Sequence, residues 1–110
     1  MSQAKTVKEV LIATEYILNH LDWTQNAFFR DSVGRTTMVQ EDAKACCLSG
    51  ALRLVDDEPY QNLKHKARNE IQAVIGDSYS ITTFNDKPGR TKEEVLEVVR
   101  KAIQVFESAS

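Results

Sequence analysis

The sequence predicts an all-α fold, a small four-helix bundle-like single domain over residues 1–110, and three observations predict it. Capping boxes at Thr6 with Glu9 and at Thr91 with Glu94 each stand ahead of an apolar pattern of helical period. A third stripe of that period ends at Gly76, a residue suited to stop a helix. Between them lies the stretch richest in small residues, Ala43 to Leu52, which also reads as helix and contains Gly50. A Gly inside a helix costs about 1 kcal/mol relative to Ala, so a helix that keeps one needs another backbone close by. This stretch is expected to be the central helix.

The first helix is predicted from Thr6 to Leu21. Val7, Val10, Leu11, Thr14, Ile17, Leu18 and Leu21 share one arc of the helical wheel and form the face to be buried. Ile12 and Tyr16, four residues apart, lie outside that arc. They either pack under the following loop or belong to a surface for a partner protein or a second copy of the chain, as in a homodimer. Asp22-Trp23-Thr24-Gln25 breaks the helix, and the spacing of Asp22 and Gln25 predicts a short second helix through Ala27, Phe28 and Phe29. Arg30 to Arg35 reads as a turn, with Gly34 free to take positive φ. Thr36 to Val39 is either a short extended piece or the approach to the next helix.

The central helix is predicted to start near Gln40 to Asp42 and to end at Asp56-Asp57-Glu58-Pro59. Ala43, Cys47, Leu48, Gly50, Ala51, Leu52, Leu54 and Val55 cover more than half of its circumference, leaving Asp42, Cys46, Ser49 and Arg53 on the polar side. So wide an apolar arc belongs to a helix touched on several faces. The third helix, Pro59 to Ile75, has the stripe Tyr60, Leu63, Ala67, Ile71, Val74 and Ile75. Tyr79 to Phe84 carries strand-forming residues, and its one candidate partner is Thr36 to Val39, so a two-stranded ribbon between 36–39 and 79–84 is the single β feature considered. Phe84 to Arg90 is a turn by composition. The last helix opens at Thr91, buries Val95, Val98, Val99, Ala102, Val105 and Phe106, and ends near Glu107.

A chain of 110 residues can bury roughly two-thirds of its unfolded surface in one core. Its 14 basic and 16 acidic residues are interspersed and sum to −2. That balance argues against a generic nucleic-acid binder, which needs a basic patch, and against a DNA mimic, which needs a far more acidic surface. No apolar run approaches the ~20 residues that span a bilayer, and no basic-then-apolar leader opens the sequence, so the expectation is a cytoplasmic protein. The two cysteines, Cys46 and Cys47, are adjacent and suit free thiols in a reducing compartment.

Several short motifs recur in a fixed order: Trp23 after the first helix, Asp31 and Gly34 in an Asp-x-x-Gly turn, and Cys47, Gly50 and Ala51 in a Cys-x-x-Gly-Ala helix. Phe84, Asn85 and Asp86 then form an aromatic-Asn-Asp turn ahead of a Thr-x-x-Glu-Val helix at Thr91, Glu94 and Val95. In this order they resemble an uncharacterised small helical domain family of phages and bacteria. Phe84 stands where that family usually has Trp, which keeps the ring and loses an N–H donor. The resemblance carries no activity across. It implies a phage or bacterial origin and an accessory role such as inhibition of host defence.

The candidate chemistry is sparse. Cys47 falls in the apolar arc as a small hydrophobe, whereas Cys46, near Ser49 and Arg53 on the polar side, is the better candidate for a reactive thiol. His20 and His65 lie on other helices, so no base is placed beside it. Two adjacent Cys and two distant His do not have zinc-ligand spacing, and neither a metal nor a cofactor is expected. Asn85-Asp86 reads first as turn and cap chemistry. Read functionally, it is the polar corner of a ligand pocket with Trp23 and Phe84 as walls and Gln25, Asp31, Arg35 or Arg90 adding polar contacts. The basic run Lys64-His65-Lys66-Ala67-Arg68 is a solvated face or a surface for an acidic partner. The expected function is therefore a non-enzymatic binding protein, a phage or mobile-element accessory that occupies a host protein. The alternative is a small-molecule or nucleotide-binding sponge.

Overall fold

Helix α1 (Val7–His20) starts where the capping box puts it: the Thr6 hydroxyl accepts from Glu9 N at 3.1 Å, and the Glu9 carboxylate accepts from Lys5 N at 2.9 Å. The computed structural model describes residues 3–57 and 62–108. Val10, Leu11, Thr14 and Leu18 are buried along α1. Thr14 can join them because its hydroxyl donates to Val10 O at 2.8 Å. Ile12 and Tyr16 stay 45% and 47% exposed, so no loop covers them.

Beyond Leu21 the chain does not turn into a second helix. It enters strand β1 (Asp22–Trp23), which pairs in parallel with β4 (Ala45–Cys46). Strand β2 (Phe29–Arg30) lies antiparallel between β4 and β3 (Thr36–Thr37), giving the order β1-β4-β2-β3. Among the described residues, five α-helices and this four-stranded mixed sheet make the fold α/β, which corrects the all-α expectation. Each strand is two residues long, too short to show the period-two alternation by which a sequence reveals a sheet. The capping-box spacing at Asp22 and Gln25 fails for a related reason: Asp22 N donates to Lys44 O and Thr24 N to Cys46 O, both at 3.0 Å, so the ladder takes the backbone donors.

The expected central helix is likewise three pieces: a 3-10 turn (Gln40–Asp42), strand β4, and helix α2 (Leu48–Leu54). Its small apolar residues suit a buried strand as well as a helix, so composition could not separate the two. Cys47 is the N-cap of α2, its Sγ accepting from Gly50 N at 3.2 Å. The close backbone approach expected at Gly50 is present. A Cβ there would collide with the Phe28 carbonyl oxygen and stand 3.2 Å from Phe29 Cε1.

Helix α3 (Leu63–Ile75) buries Leu63, Ala67 and Ile71 and stops at Gly76, with φ of 88°. Its expected start at Pro59 and Tyr60 lies outside the described residues. The expected ribbon is replaced at both ends. Thr36–Thr37 pairs with β2, and 81–86 is helix α4 (Ile81–Asp86), capped by Ser80 Oγ accepting from Thr83 N at 3.1 Å. That cap outweighs the strand preference of Ile81, Thr82 and Thr83. Helix α5 (Lys92–Ser108) opens with a reciprocal box: Glu94 N to Thr91 Oγ1 at 3.2 Å and Thr91 N to Glu94 Oε1 at 3.0 Å. Leu96 and Ile103 join its buried face, whereas Val105, expected in the core, is 50% exposed. Helix α1 packs on α2, α3 and α5 around one buried cluster, and the sheet covers its end. No helix among the described residues is long and apolar enough to cross a membrane.

Candidate functional site

Asn85, near the end of α4, is fully buried, and four hydrogen bonds satisfy its amide. Its Oδ1 accepts from Trp23 Nε1 at 2.7 Å and from Leu48 N at 3.0 Å; its Nδ2 donates to Thr24 O at 3.1 Å and to Asp86 Oδ1 at 2.9 Å. The flanking residues extend the junction. Gln25 Nε2 donates to the carbonyls of Asn85 and Lys87, and Asp86 Oδ1 also accepts from Asn26 N at 2.9 Å. Trp23, Gln25, Asn85 and Asp86 are thus brought together across some sixty residues of chain, and their polar atoms are largely spent on one another.

The side chains of the other residues of the expected pocket make no hydrogen bond to these four side chains. Asp31 closes the β2–β3 hairpin, its Oδ1 accepting from Val33 N and Arg35 N, both at 3.0 Å. Arg90 stacks 3.8 Å from the Phe84 ring centroid, donates to Phe84 O at 2.8 Å and pairs with Glu94 at 3.0 Å. Phe84 therefore packs as a platform for a guanidinium, and the indole donor that bonds the Asn comes from Trp23.

Open space lies next to the junction. One cleft, of roughly 410 Å³, is lined by Asn26, Ala27, Phe28, Cys47, Thr82 and Asp86. A second, of roughly 450 Å³, runs between α2 and α3 and shares Phe28 and Thr82 with the first. Its remaining lining includes Ser49 and Arg53 from α2 and Lys64 and Arg68 from α3. Each of these pairs is spaced i, i+4, so helix geometry puts its two members on one face. The Arg53 guanidinium lies 4.2 Å from the Phe28 ring centroid, and Arg68 donates to Ser49 Oγ at 3.3 Å. Lys64 donates to Arg53 O at 2.9 Å and stands 3.8 Å from Asp57. Among the described residues neither Arg53 nor Arg68 has a carboxylate within ion-pair distance. The sequence showed Ser49 beside Arg53 and the basic run 64–68 separately. What it could not show is that α2 and α3 turn these faces toward each other.

Neither thiol lines the α2–α3 cleft, and only Cys47 reaches the lining of the first one. Cys46 is in β4 and fully buried, not on a polar helix face, and burial pushes its pKa from 9.0 up to about 12. Burial raises the Cys47 thiol as well, partly opposed by hydrogen bonds from the backbone of Gly50 and Ser49. A thiol so shifted is a poor nucleophile at neutral pH. His20 stacks on Tyr16 on α1, with ring centroids 3.8 Å apart, and His65 is exposed on α3. No group of three or more His, Cys, Asp or Glu among the described residues could hold a metal ion.

The model of the DUF6197 family, a family of unknown function, matches residues 2–105, and the chain belongs to that family. No curated protein and no solved structure matches it.

Proposed function

We propose that the chain is a non-enzymatic binding protein that holds a small oxyanion of phosphate type in the cleft between α2 and α3. The observation that carries this reading is the convergence of Arg53, Lys64 and Arg68 on one cleft of a chain whose net charge is −2. Lys64 has Asp57 at 3.8 Å, whereas Arg53 and Arg68 have no carboxylate within ion-pair distance among the described residues, and two such guanidinium groups on one cleft repel one another unless an anion joins them. The hydroxyls of Ser49 and Thr82, 3.5 Å apart on the same wall, add neutral donors suited to phosphate oxygens. The pocket so assigned sits beside the Trp23 and Asn85 junction, which serves as its scaffold.

Isothermal titration of the intact chain with inorganic pyrophosphate tests the proposal. Saturable binding is expected, weakened about tenfold or more by Arg68→Gln, because a charge-assisted hydrogen bond contributes roughly 1.5–3 kcal/mol. Lys101→Gln, on an exposed position of α5, is expected to leave it unchanged. Equal weakening by both substitutions would reduce the effect to net charge and sink the assignment.

A second reading has the chain dock on a partner protein through Ile12 and Tyr16, and their exposure on α1 favours it. Under the resemblance to phage and bacterial domains that partner would be a host protein, as in inhibition of defence. Tyr16→Ser should then abolish the biological effect without changing the melting temperature, and an unchanged effect would remove this reading. Self-association through the same strip predicts a dimer by sizing that Tyr16→Ser converts to monomer.

A further inference from the structure

Resting on the oxyanion reading, we infer that the ligand is a nucleoside phosphate whose base carries an exocyclic amino group, with the phosphate between α2 and α3 and the base in the adjoining cleft. Three features of that adjoining cleft support it. First, the two clefts share Phe28 and Thr82 in their linings, which puts them side by side within the span of one ligand. Each alone is within the size range of small-ligand sites, roughly 300–1,000 Å³. A bare phosphate would leave the first cleft empty.

Second, the first cleft is walled by Ala27, Phe28 and the side chain of Cys47, a mostly apolar recess with a half-buried aromatic ring. The Arg53 guanidinium against that same ring ties the apolar recess to the cationic one. A flat heterocycle against an aromatic side chain strengthens binding by roughly tenfold or more.

Third, the lining of the recess includes a carboxylate with unused accepting capacity. Both hydrogen bonds to Asp86 from Asn26 N and Asn85 Nδ2 fall on Oδ1, so the described residues supply no hydrogen bond to Oδ2. These bonds fix the carboxylate, and an acceptor fixed at the edge of a base recess selects an N–H donor on the ligand. Guanine, adenine and cytosine present an amino group; uracil has a carbonyl in its place, and its ring N3–H lies between two carbonyl oxygens that face the carboxylate lone pairs unfavourably. The cations line one cleft and the carboxylate the other, which also orients the ligand, since a phosphate beside Asp86 would meet like charge.

The test is a titration series on the intact chain with CMP, UMP, ribose 5-phosphate and inorganic phosphate, repeated with Asp86→Asn. CMP is expected to bind at least about tenfold more tightly than ribose 5-phosphate and at least about fivefold more tightly than UMP. In Asp86→Asn the amide oxygen can keep both structural hydrogen bonds while its NH2 replaces Oδ2, so the preference is expected to invert toward UMP. If this substitution prevents folding, the CMP-to-UMP ratio of the unsubstituted chain decides. Equal affinity for CMP and ribose 5-phosphate overturns the inference and leaves the oxyanion reading standing. Equal affinity for CMP and UMP overturns the assignment to Asp86. Absence of binding by all four overturns both.

Discussion

Asn85 is the residue on which the polar interior turns, because one amide joins β1, the N-terminus of α2 and α4. Replacing it with Ala strands Trp23 Nε1 and Leu48 N, and each buried donor left unpaired costs about 1–3 kcal/mol. A loss of about 3–5 kcal/mol in denaturant unfolding is therefore expected for Asn85→Ala. Asn85→Asp keeps the acceptor but sets a buried carboxyl against Asp86, whose Oδ1 now accepts at 2.9 Å. Burial and that neighbour raise the new group's pKa, so this variant should be more stable relative to the parent at pH 4 than at pH 7. A pH-independent difference would contradict both the burial of the site and its contact with Asp86. At Gly50 a methyl group collides with the Phe28 carbonyl oxygen. Gly50→Ala should destabilise by about 1–3 kcal/mol, although Ala is the better helix former. The thiols give a further pH dependence. With Cys46 raised from 9.0 to about 12, the folded state keeps a neutral thiol where the unfolded chain ionises. Stability tied to this group is complete below pH 9 and should fall as pH rises from 9 toward 12, a trend that Cys46→Ala should flatten.

At the scale of elements, the terminal helices were legible because their signals are local. Thr6 with Glu9 and Thr91 with Glu94 each place cap and partner three residues apart, and both bonds form. The Glu94 carboxyl is held below its ordinary 4.5, first by the backbone N–H of Thr91. Its contribution is present above that ordinary value and is lost as pH falls through the lowered one. Amide protection in the first turn of α5, taken relative to intrinsic exchange at each pH, should therefore fall as the pH drops below that ordinary value, and Glu94→Gln should remove that pH dependence while keeping much of the cap. The sheet was not legible, because its signals are not local. Asp22-Trp23 carries nothing that names Ala45-Cys46 as its partner, and Ser80 diverts a strand-like run into α4 through a cap.

For the whole molecule, the site was half legible. The association of Trp23, Gln25, Asn85 and Asp86 could be anticipated from residue type, but residue type alone cannot separate a polar corner that binds a ligand from one that binds itself. The cleft beside it is assembled from Phe28, Ser49, Arg53, Lys64, Arg68 and Thr82, which belong to four separate segments. Only the packing of α3 and α4 on α2 makes them neighbours. The interspersed charges of the sequence hide this grouping of Arg53, Lys64 and Arg68, of which only Lys64 has a carboxylate, Asp57, beside it among the described residues.

The central claim is that this cleft holds an anion, and the most direct measurement is amide chemical-shift mapping during a titration of the labelled chain with inorganic pyrophosphate at low salt. The account predicts saturable shifts concentrated at Ser49, Arg53, Lys64, Arg68 and Thr82, weakening as salt is added. Shifts spread evenly over lysines remote from it, such as Lys8 of α1 and Lys101 of α5, or none at the α2–α3 cleft, would contradict it.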